Sequence, residues 1–412
     1  MGGNGIGIRK VDGPRSLAPG GRGRRAERAG WGGRTSAPGA EGAADEGASW
    51  GEGSRLTVSR AVRTGALGGL IGLVLLLAAC ARAVAPLPVV PAASPTPPPP
   101  IDLPRDAGPH DALTEWWYVT GHLQDAAGRA YGFEFTIFQV RRQDAPAGYL
   151  AHFAVSDVTG QRFSHQAHAR QGEPLAGFPL DVDGWTLATD AAGDLIDAAM
   201  QPGPGADPPF RLHLRLQDQK PPVLHHGGYL DLGPGGGSYY YSRPRLGVTG
   251  ELQAADGPAQ AVSGQAWMDH QWGNFVITSR VVWDWYSLQL DDRTELMLYV
   301  LRGPDEAASA VYGTYVLADG RGQDLAPGSV QVRATGSWSS PHTGATYPSG
   351  WQLTLPDGRV LRLESQLADQ ELYFPAAQVA TPAYWEGAVT ITGDATGEGY
   401  VELTGYARGK GE

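Results

Sequence analysis

From Asp111 onward the chain alternates apolar and polar residues in short runs. Phe133, Phe135 and Ile137 alternate with Glu134 and Thr136, and Leu212, Leu214 and Leu216 with His213, Arg215 and Gln217. Leu296, Leu298 and Val300 alternate with Met297, Tyr299 and Leu301, and Val389 and Ile391 with Thr390 and Thr392. A period of two sends successive side chains to opposite faces, so each run predicts a strand with one buried face. Asp-Gly, Ala-Gly and Gly-Gly pairs between the runs predict tight turns joining antiparallel neighbours. No helix longer than about three turns is predicted. The pattern therefore predicts an all-β sandwich or barrel. The 59 Gly and 32 Pro among 412 residues fit frequent turns, and 12 Trp with 16 Tyr argue against general disorder.

An internal repeat sets the domain count. Trp117-Tyr118, followed by Leu123-Gln124-Asp125, matches Trp285-Tyr286, followed by Leu290-Asp291-Asp292. Val248-Thr249-Gly250 matches Ile391-Thr392-Gly393, and Val262-Ser263-Gly264-Gln265-Ala266 matches Leu403-Thr404-Gly405-Tyr406-Ala407. Two related antiparallel domains are expected, over 111–279 and 280–412, with the boundary near 275–282. Barrels of this size enclose an apolar cavity or form one between them.

The first 110 residues follow different rules. Residues 65–79 form an apolar run, preceded by Arg60 and Arg63 and ending in Leu77-Ala78-Ala79-Cys80. The run is shorter than the roughly 20 residues of a membrane span and has the layout of a secretory signal. Its end resembles a bacterial lipobox, with lipidation expected on Cys80, the only cysteine of the chain. A single cysteine also excludes an internal disulfide and a cysteine-based zinc site. Residues 1–57, rich in Gly, Arg and Ala, are expected to lie upstream of the authentic start. Residues 80–110 hold the lipidated Cys and a Pro-rich, semi-rigid tether. Removing 1–79 changes the net charge from −11 to −16, with 21 basic and 37 acidic residues remaining. That balance argues against a nucleic-acid partner and makes the lipid anchor, rather than a basic patch, the expected hold on the membrane. The expected location is extracytoplasmic, periplasmic or at the cell surface.

The chain has no Gly-x-Ser-x-Gly elbow, no His-Glu-x-x-His, no P-loop and no dinucleotide fingerprint in a strand–helix context. His225-His226 would point to opposite faces of a strand and reads as solvated loop residues, as does the His165-x-x-His168 pair. No metal or organic cofactor is expected. The densest unusual segment is Ala266-Trp267-Met268-Asp269-His270-Gln271-Trp272-Gly273, followed by Val282-Trp283-Asp284-Trp285-Tyr286. Alternation puts His270 and Trp272 on one face with Met268, and Asp284 and Tyr286 on one face with Leu288 and Leu290. A carboxyl on an apolar face is paired or protonated, and a raised pKa makes it a proton donor. The structural alternative is an Asp bonded to Trp indoles as packing.

Glu115-Trp116-Trp117-Tyr118-Val119-Thr120-Gly121-His122-Leu123, Ser263 to Gly273, Tyr384-Trp385-Glu386-Gly387 and Gly399 to Tyr406 resemble the motifs of the AttH-like, carotenoid 1,2-hydratase (hydroxyneurosporene synthase) family. The resemblance spans about 110–408. It implies two tandem lipocalin-like β-barrels and a hydratase site of His, Trp, Tyr and Asp. The matching catalytic candidates are His270, Trp272, Asp284 and Tyr286. Asp284 would be the acid, within about 8 Å of His270 so that the two act directly or through one water. Candidate ligand-binding residues are Trp116, Tyr118, Trp267, Met268, Trp283 and Trp285. The implied reaction is acid-catalysed addition of water to a C=C bond of an isoprenoid-like hydrophobic substrate. Two other readings use the same cavity: a lipoprotein that binds or carries a hydrophobic ligand without turnover, and a Diels–Alderase-like pericyclase or isomerase, of which the family has fungal relatives.

Overall fold

The computed structural model describes residues 98–142, 145–203, 208–232, 236–255, 257–275, 282–302, 311–374 and 382–407. The signal run, Cys80 and most of the tether lie outside the described residues. The one helical element among them is a single 3-10 turn, Arg105–Ala107. Among the described residues no helix is long and apolar enough to cross a membrane. The expected all-β architecture is present.

The first sheet contains β1 (Thr114–Asp125), β2 (Ala130–Arg142), β3 (Ala145–Asp157), β4 (Arg162–Gly172), β5 (Leu180–Val182), β6 (Trp185–Asp190), β7 (Gly193–Ala199), β8 (Phe210–Asp218), β9 (Val223–Asp231), β10 (Gly237–Ala254) and β11 (Gln260–Gly273). Its order is β4-β3-β2-β1-β11-β10-β8-β7-β6-β5, with β9 branching from β10. The sheet curls until its edges approach, where Arg170 on β4 donates to the Asp181 carbonyl on β5. Closing a sheet on itself hides its edges from other chains. Phe133, Phe135, Ile137, Phe153, Leu212, Leu214 and Leu216 fill the interior, so the barrel is packed rather than hollow.

The second sheet contains β12 (Val282–Leu290), β13 (Glu295–Arg302), β14 (Val311–Val316), β15 (Gly322–Leu325), β16 (Gln331–Ala334), β19 (Trp351–Thr354), β20 (Val360–Ser365), β21 (Glu371–Leu372), β22 (Tyr384–Gly393) and β23 (Gly397–Leu403). The short pair β17 (Ser337–Ser339) and β18 (Thr346–Pro348) stands apart from it. The order β15-β14-β13-β12-β23-β22-β20-β19-β16, with β21 branching from β22, repeats that of the first sheet from β4 through β6, without a counterpart of β5. Tyr286, Leu288, Leu296, Leu298, Trp351 and Trp385 form its core. The result is a tandem of two lipocalin-like barrels, the second more open.

The repeat runs in a different register from the one the sequence motifs predict. The turns after β1 and β12 are closed by the same hydrogen bonds, Asp125 with Arg129 and Leu290 with Thr294, which equates Asp125 with Leu290. Tyr118 then corresponds to Trp283, not to Tyr286, and Gly264 corresponds to Gly399, not to Gly405. The two glycines share a role. A Cβ at Gly264 would strike the His122 carbonyl, and one at Gly399 the Ser287 carbonyl of the equivalent neighbouring strand. Backbone proximity fixes these positions, whereas matching short Trp-Tyr strings finds similar composition at the wrong offset.

The barrels meet along the outer faces of β1, β2, β10 and β11 on one side and β12, β13, β22 and β23 on the other. Tyr118, Tyr240, Trp267, Trp285, Met297, Ala388 and Tyr400 form one buried cluster there, flanked by Trp116 and Trp283. Gly132 permits the close approach, since a Cβ would lie 2.4 Å from the Tyr400 hydroxyl and 2.9 Å from the Ala388 Cβ. A buried ionic clasp adds to it. Glu295 on β13 accepts from Lys220 at 2.6 Å and from Arg245 on β10 at 2.5 Å.

Candidate functional site

Glu134 and Thr136 sit at the polar positions of an alternating strand, which would put them in water on a lone barrel. Here the second barrel covers that face, and both are buried. The register of β1, β2 and β3 places Thr120 opposite Glu134, and Thr136 opposite His152. Tyr384 and Glu386 approach from β22 on the other barrel. The Tyr118 hydroxyl donates to Glu386 at 2.7 Å, and His152 Nδ1 bonds the Tyr384 hydroxyl at 2.6 Å. Phe374 stacks on the His152 ring with centroids 4.8 Å apart, and Phe138 meets it edge-on.

This polar group is under-satisfied. Thr120 Oγ1, Glu134 Oε2, His152 Nε2 and Glu386 Oε2 are buried with no hydrogen-bond partner among the described residues. Buried polar atoms are nearly always paired, and each exception calls for an unseen water, ligand or chemical role. Four such atoms gathered at one interface make it the candidate place for a bound water or another polar group.

The electrostatics point the same way. Burial, reinforced by the nearby Glu402 carboxyl, pushes Glu134 up to about 8, even though the Thr136 hydroxyl bonded to Oε1 pulls it down. Glu386 is raised well above the usual carboxylate range by burial and by the Glu402 and Glu134 charges. Burial lifts Glu402 to about 7 despite the Trp283 indole donating to it at 2.8 Å. His152 falls to about 3 by burial and the neighbouring His165, and so stays neutral. At neutral pH the interface therefore favours the protonated form of Glu134 and Glu386, beside a Glu402 that titrates near neutrality, a neutral imidazole and aromatic walls.

Asp269, by contrast, is saturated. It accepts from Tyr240 at 2.5 Å, from the Trp267 indole at 2.6 Å and from Ser242. Ser242 in turn bonds His225, which is fully buried and also bonds Thr314. His225 is thus an interface residue rather than the solvated loop histidine expected, because β9 lies against the second barrel.

The sequence-predicted site residues divide between three places. Trp116, Tyr118, Trp267, Trp283 and Trp285 come together in the inter-barrel cluster. Met268 does not join them; it turns into the first barrel's core. His270 also faces the first barrel, 2.9 Å from Glu115 and stacked on Trp117, while Trp272 stacks on His110 at 4.1 Å. Asp284 faces the second barrel, where Arg302 lies 3.1 Å away and the Tyr406 hydroxyl 3.1 Å from each oxygen. Its pKa is raised to about 6 by burial, against the pull of Arg302 and Tyr406. Tyr286 packs on Trp351 in the same core.

The expected joint site of Asp284 and His270 is therefore not formed. Each shares a face with the neighbours alternation assigns to it, but those faces turn into different barrels. The sequence reading missed Thr120, Glu134, His152, Tyr384, Glu386 and Glu402 as site residues. The signal was present in Phe133-Glu134-Phe135 and Tyr400-Val401-Glu402-Leu403, acids inside strongly apolar strands, and it reads as a solvent face unless a second layer is supplied.

No curated relative matches the sequence. A solved structure described as AttH, from Nitrosomonas europaea, is 30% identical with a TM-score of 0.67, covering 78% of this chain and 99% of that one. Kievitone hydratase from Nectria haematococca is 16% identical with a TM-score of 0.60, covering 78% of this chain and 98% of that one, a likeness of fold. The model of the AttH-like family matches residues 94–406, and the chain belongs to that family.

Proposed function

We propose that this protein is a hydratase, adding water by acid catalysis to a C=C bond of a hydrophobic, isoprenoid-like small molecule held between its two barrels. The observation that carries the reading is the Glu134 carboxyl, buried, protonated at neutral pH and with one oxygen unpartnered. An acid whose pKa lies near the working pH is suited to proton donation. Glu134 gives its proton to one alkene carbon, and positive charge develops on the more substituted neighbour. The faces of Tyr118 and Trp285 stabilise that cation, and exclusion of bulk water strengthens the effect. A bound water adds to the cation. The resulting oxonium is a strong acid, so even a weakly basic imidazole such as His152 can take its proton at Nε2. The proton then returns to Glu134, and the net change is H and OH added across the double bond.

Glu134 replaces Asp284 as the acid in this reading because Asp284 is already engaged by a cation and a tyrosine. The fold is one on which a hydratase is built, as the Nectria haematococca protein shows for itself. The lipobox supports action at a membrane surface, where apolar substrates concentrate.

The test uses purified full-length protein with acyclic polyprenes in oxygen-18 water, read by mass spectrometry. Wild type should give products carrying one labelled water. Glu134→Gln should lower turnover by about 10²–10⁴-fold while ligand affinity is kept, since the amide preserves shape but not the acid. Ligand binding without any water adduct in wild type would leave a carrier. Full turnover in Glu134→Gln would place the acid elsewhere.

A further inference from the structure

A second constellation, outside the inter-barrel site, lies at the end of the first barrel where β1 begins. Glu115 is fully buried there and is the hub of the group. Its Oε1 lies 2.7 Å from His110 Nδ1 and 2.9 Å from His270 Nε2. Its Oε2 is held by the His110 backbone N–H at 2.9 Å and by Gln139 Nε2 at 3.0 Å. One ligand atom from each of His110, Glu115 and His270 falls within 4.8 Å of the others. Around a tetrahedral zinc, with bonds of about 2.0–2.1 Å, donors sit roughly 3.3–3.4 Å apart. Moving from the present spacing to that one takes small shifts. His110 precedes β1 and is partly exposed, so a shift of its side chain along the face of Trp272 disturbs no strand pairing.

The surroundings match those of bound imidazoles. Metal-ligating histidines hand their other nitrogen to an oxygen partner that fixes ring orientation. Here His270 Nδ1 has the Tyr241 hydroxyl at 3.3 Å as that partner, and His110 Nε2 has the Asp106 carboxylate nearby at 3.8 Å, beyond hydrogen-bond distance. Both rings are clamped by indoles, His270 by Trp117 at 4.7 Å and His110 by Trp272 at 4.1 Å with planes 1° apart. Tyr241, which bonds His270, also lines a cleft of about 410 Å³ together with Leu103, Ala107 and Arg243.

We propose that His110, Glu115 and His270 form a site for a divalent transition metal, with zinc the best-fitting ion. Two imidazoles and one carboxylate disfavour calcium and magnesium, which take oxygen ligands. Three protein donors leave a fourth position for water or another oxygen ligand. Bound metal would also tie the segment before β1, carried by His110, to the barrel through β1 and β11.

The experiment uses the full chain with Cys80→Ser, which removes the only thiol. Protein dialysed against a chelator is titrated with zinc by calorimetry and with cobalt by visible absorption. One ion per chain is expected, with a cobalt spectrum of nitrogen and oxygen ligation and a thermal midpoint raised by saturating zinc. His110→Ala should weaken zinc binding at least 30-fold and abolish the thermal shift. Tyr241→Phe should weaken it by about 10-fold. His110 is partly exposed, so its replacement leaves the buried Glu115 and its bonds to His270 and Gln139 in place. Absence of stoichiometric binding in the parent chain, or equal affinity in His110→Ala, would overturn the proposal and leave a hydrogen-bonded His–Glu–His group.

Discussion

Glu134 shows how one residue's chemistry depends on what covers it. Its neighbours in sequence would accept either a solvated carboxylate or a buried acid, and the second barrel selects the acid. Because its folded pKa is raised to about 8 from an ordinary value of 4.5, the native state binds a proton that the unfolded chain has lost between those limits. That contribution to stability is complete below about 4.5 and is lost as pH rises through about 8. Glu402 and Glu386 are raised too and act in the same direction. His152 and His225, both depressed to about 3 by burial, remove stability as pH falls below 6.5, so the two sets of groups oppose each other across the acid range. Glu134→Gln should therefore flatten the loss of stability between about pH 5 and 8, which urea midpoints measured across that range will show. A variant whose pH dependence matches wild type would mean that Glu134 ionises normally. In the hydratase reading, kcat/KM should also decline above about pH 8, as the acid form disappears.

Strands decide which residues can cooperate. The segment Trp267 to Trp272 delivers Trp267 and Asp269 to the interface and Met268, His270 and Trp272 to the first barrel, because successive side chains alternate. Alternation was legible in the sequence and correctly grouped His270 with Trp272 and Asp284 with Tyr286. It could not tell that these groups face opposite ways, since the relation between β11 and β12 is set by packing of the two sheets. The same packing explains Gly132 on β2. Gly132→Leu places a side chain where Tyr400 and Ala388 already sit, and overpacking of this kind costs about 1–3 kcal/mol. Its thermal midpoint should fall, and quenching of tryptophan fluorescence by acrylamide should increase as the aromatic cluster opens. Unchanged stability would show that the barrels are less tightly apposed at this point. Glu295 tests the clasp at the other end of the interface. Glu295→Ala leaves Lys220 and Arg245 buried without their carboxylate, a loss of about 3–5 kcal/mol in the urea-derived stability.

On the scale of the whole molecule, the two barrels flank the candidate site, and lipidation of Cys80 is the proposed route to a membrane. Cys80→Ser should move the protein from the membrane fraction to the soluble one. Unchanged fractionation would count against lipidation. The sequence by itself determined the strand content and the existence of a repeat, because period-two patterning and composition are local properties of the chain. Tertiary structure alone decided that Glu134, Thr120 and His152 are buried beside Glu386, that Asp284 and His270 are separated, and that His110 and Glu115 reach His270. Those relations join positions up to 268 residues apart, as between Tyr118 and Glu386. Their protonation states follow from a water-excluding second layer that no local pattern encodes.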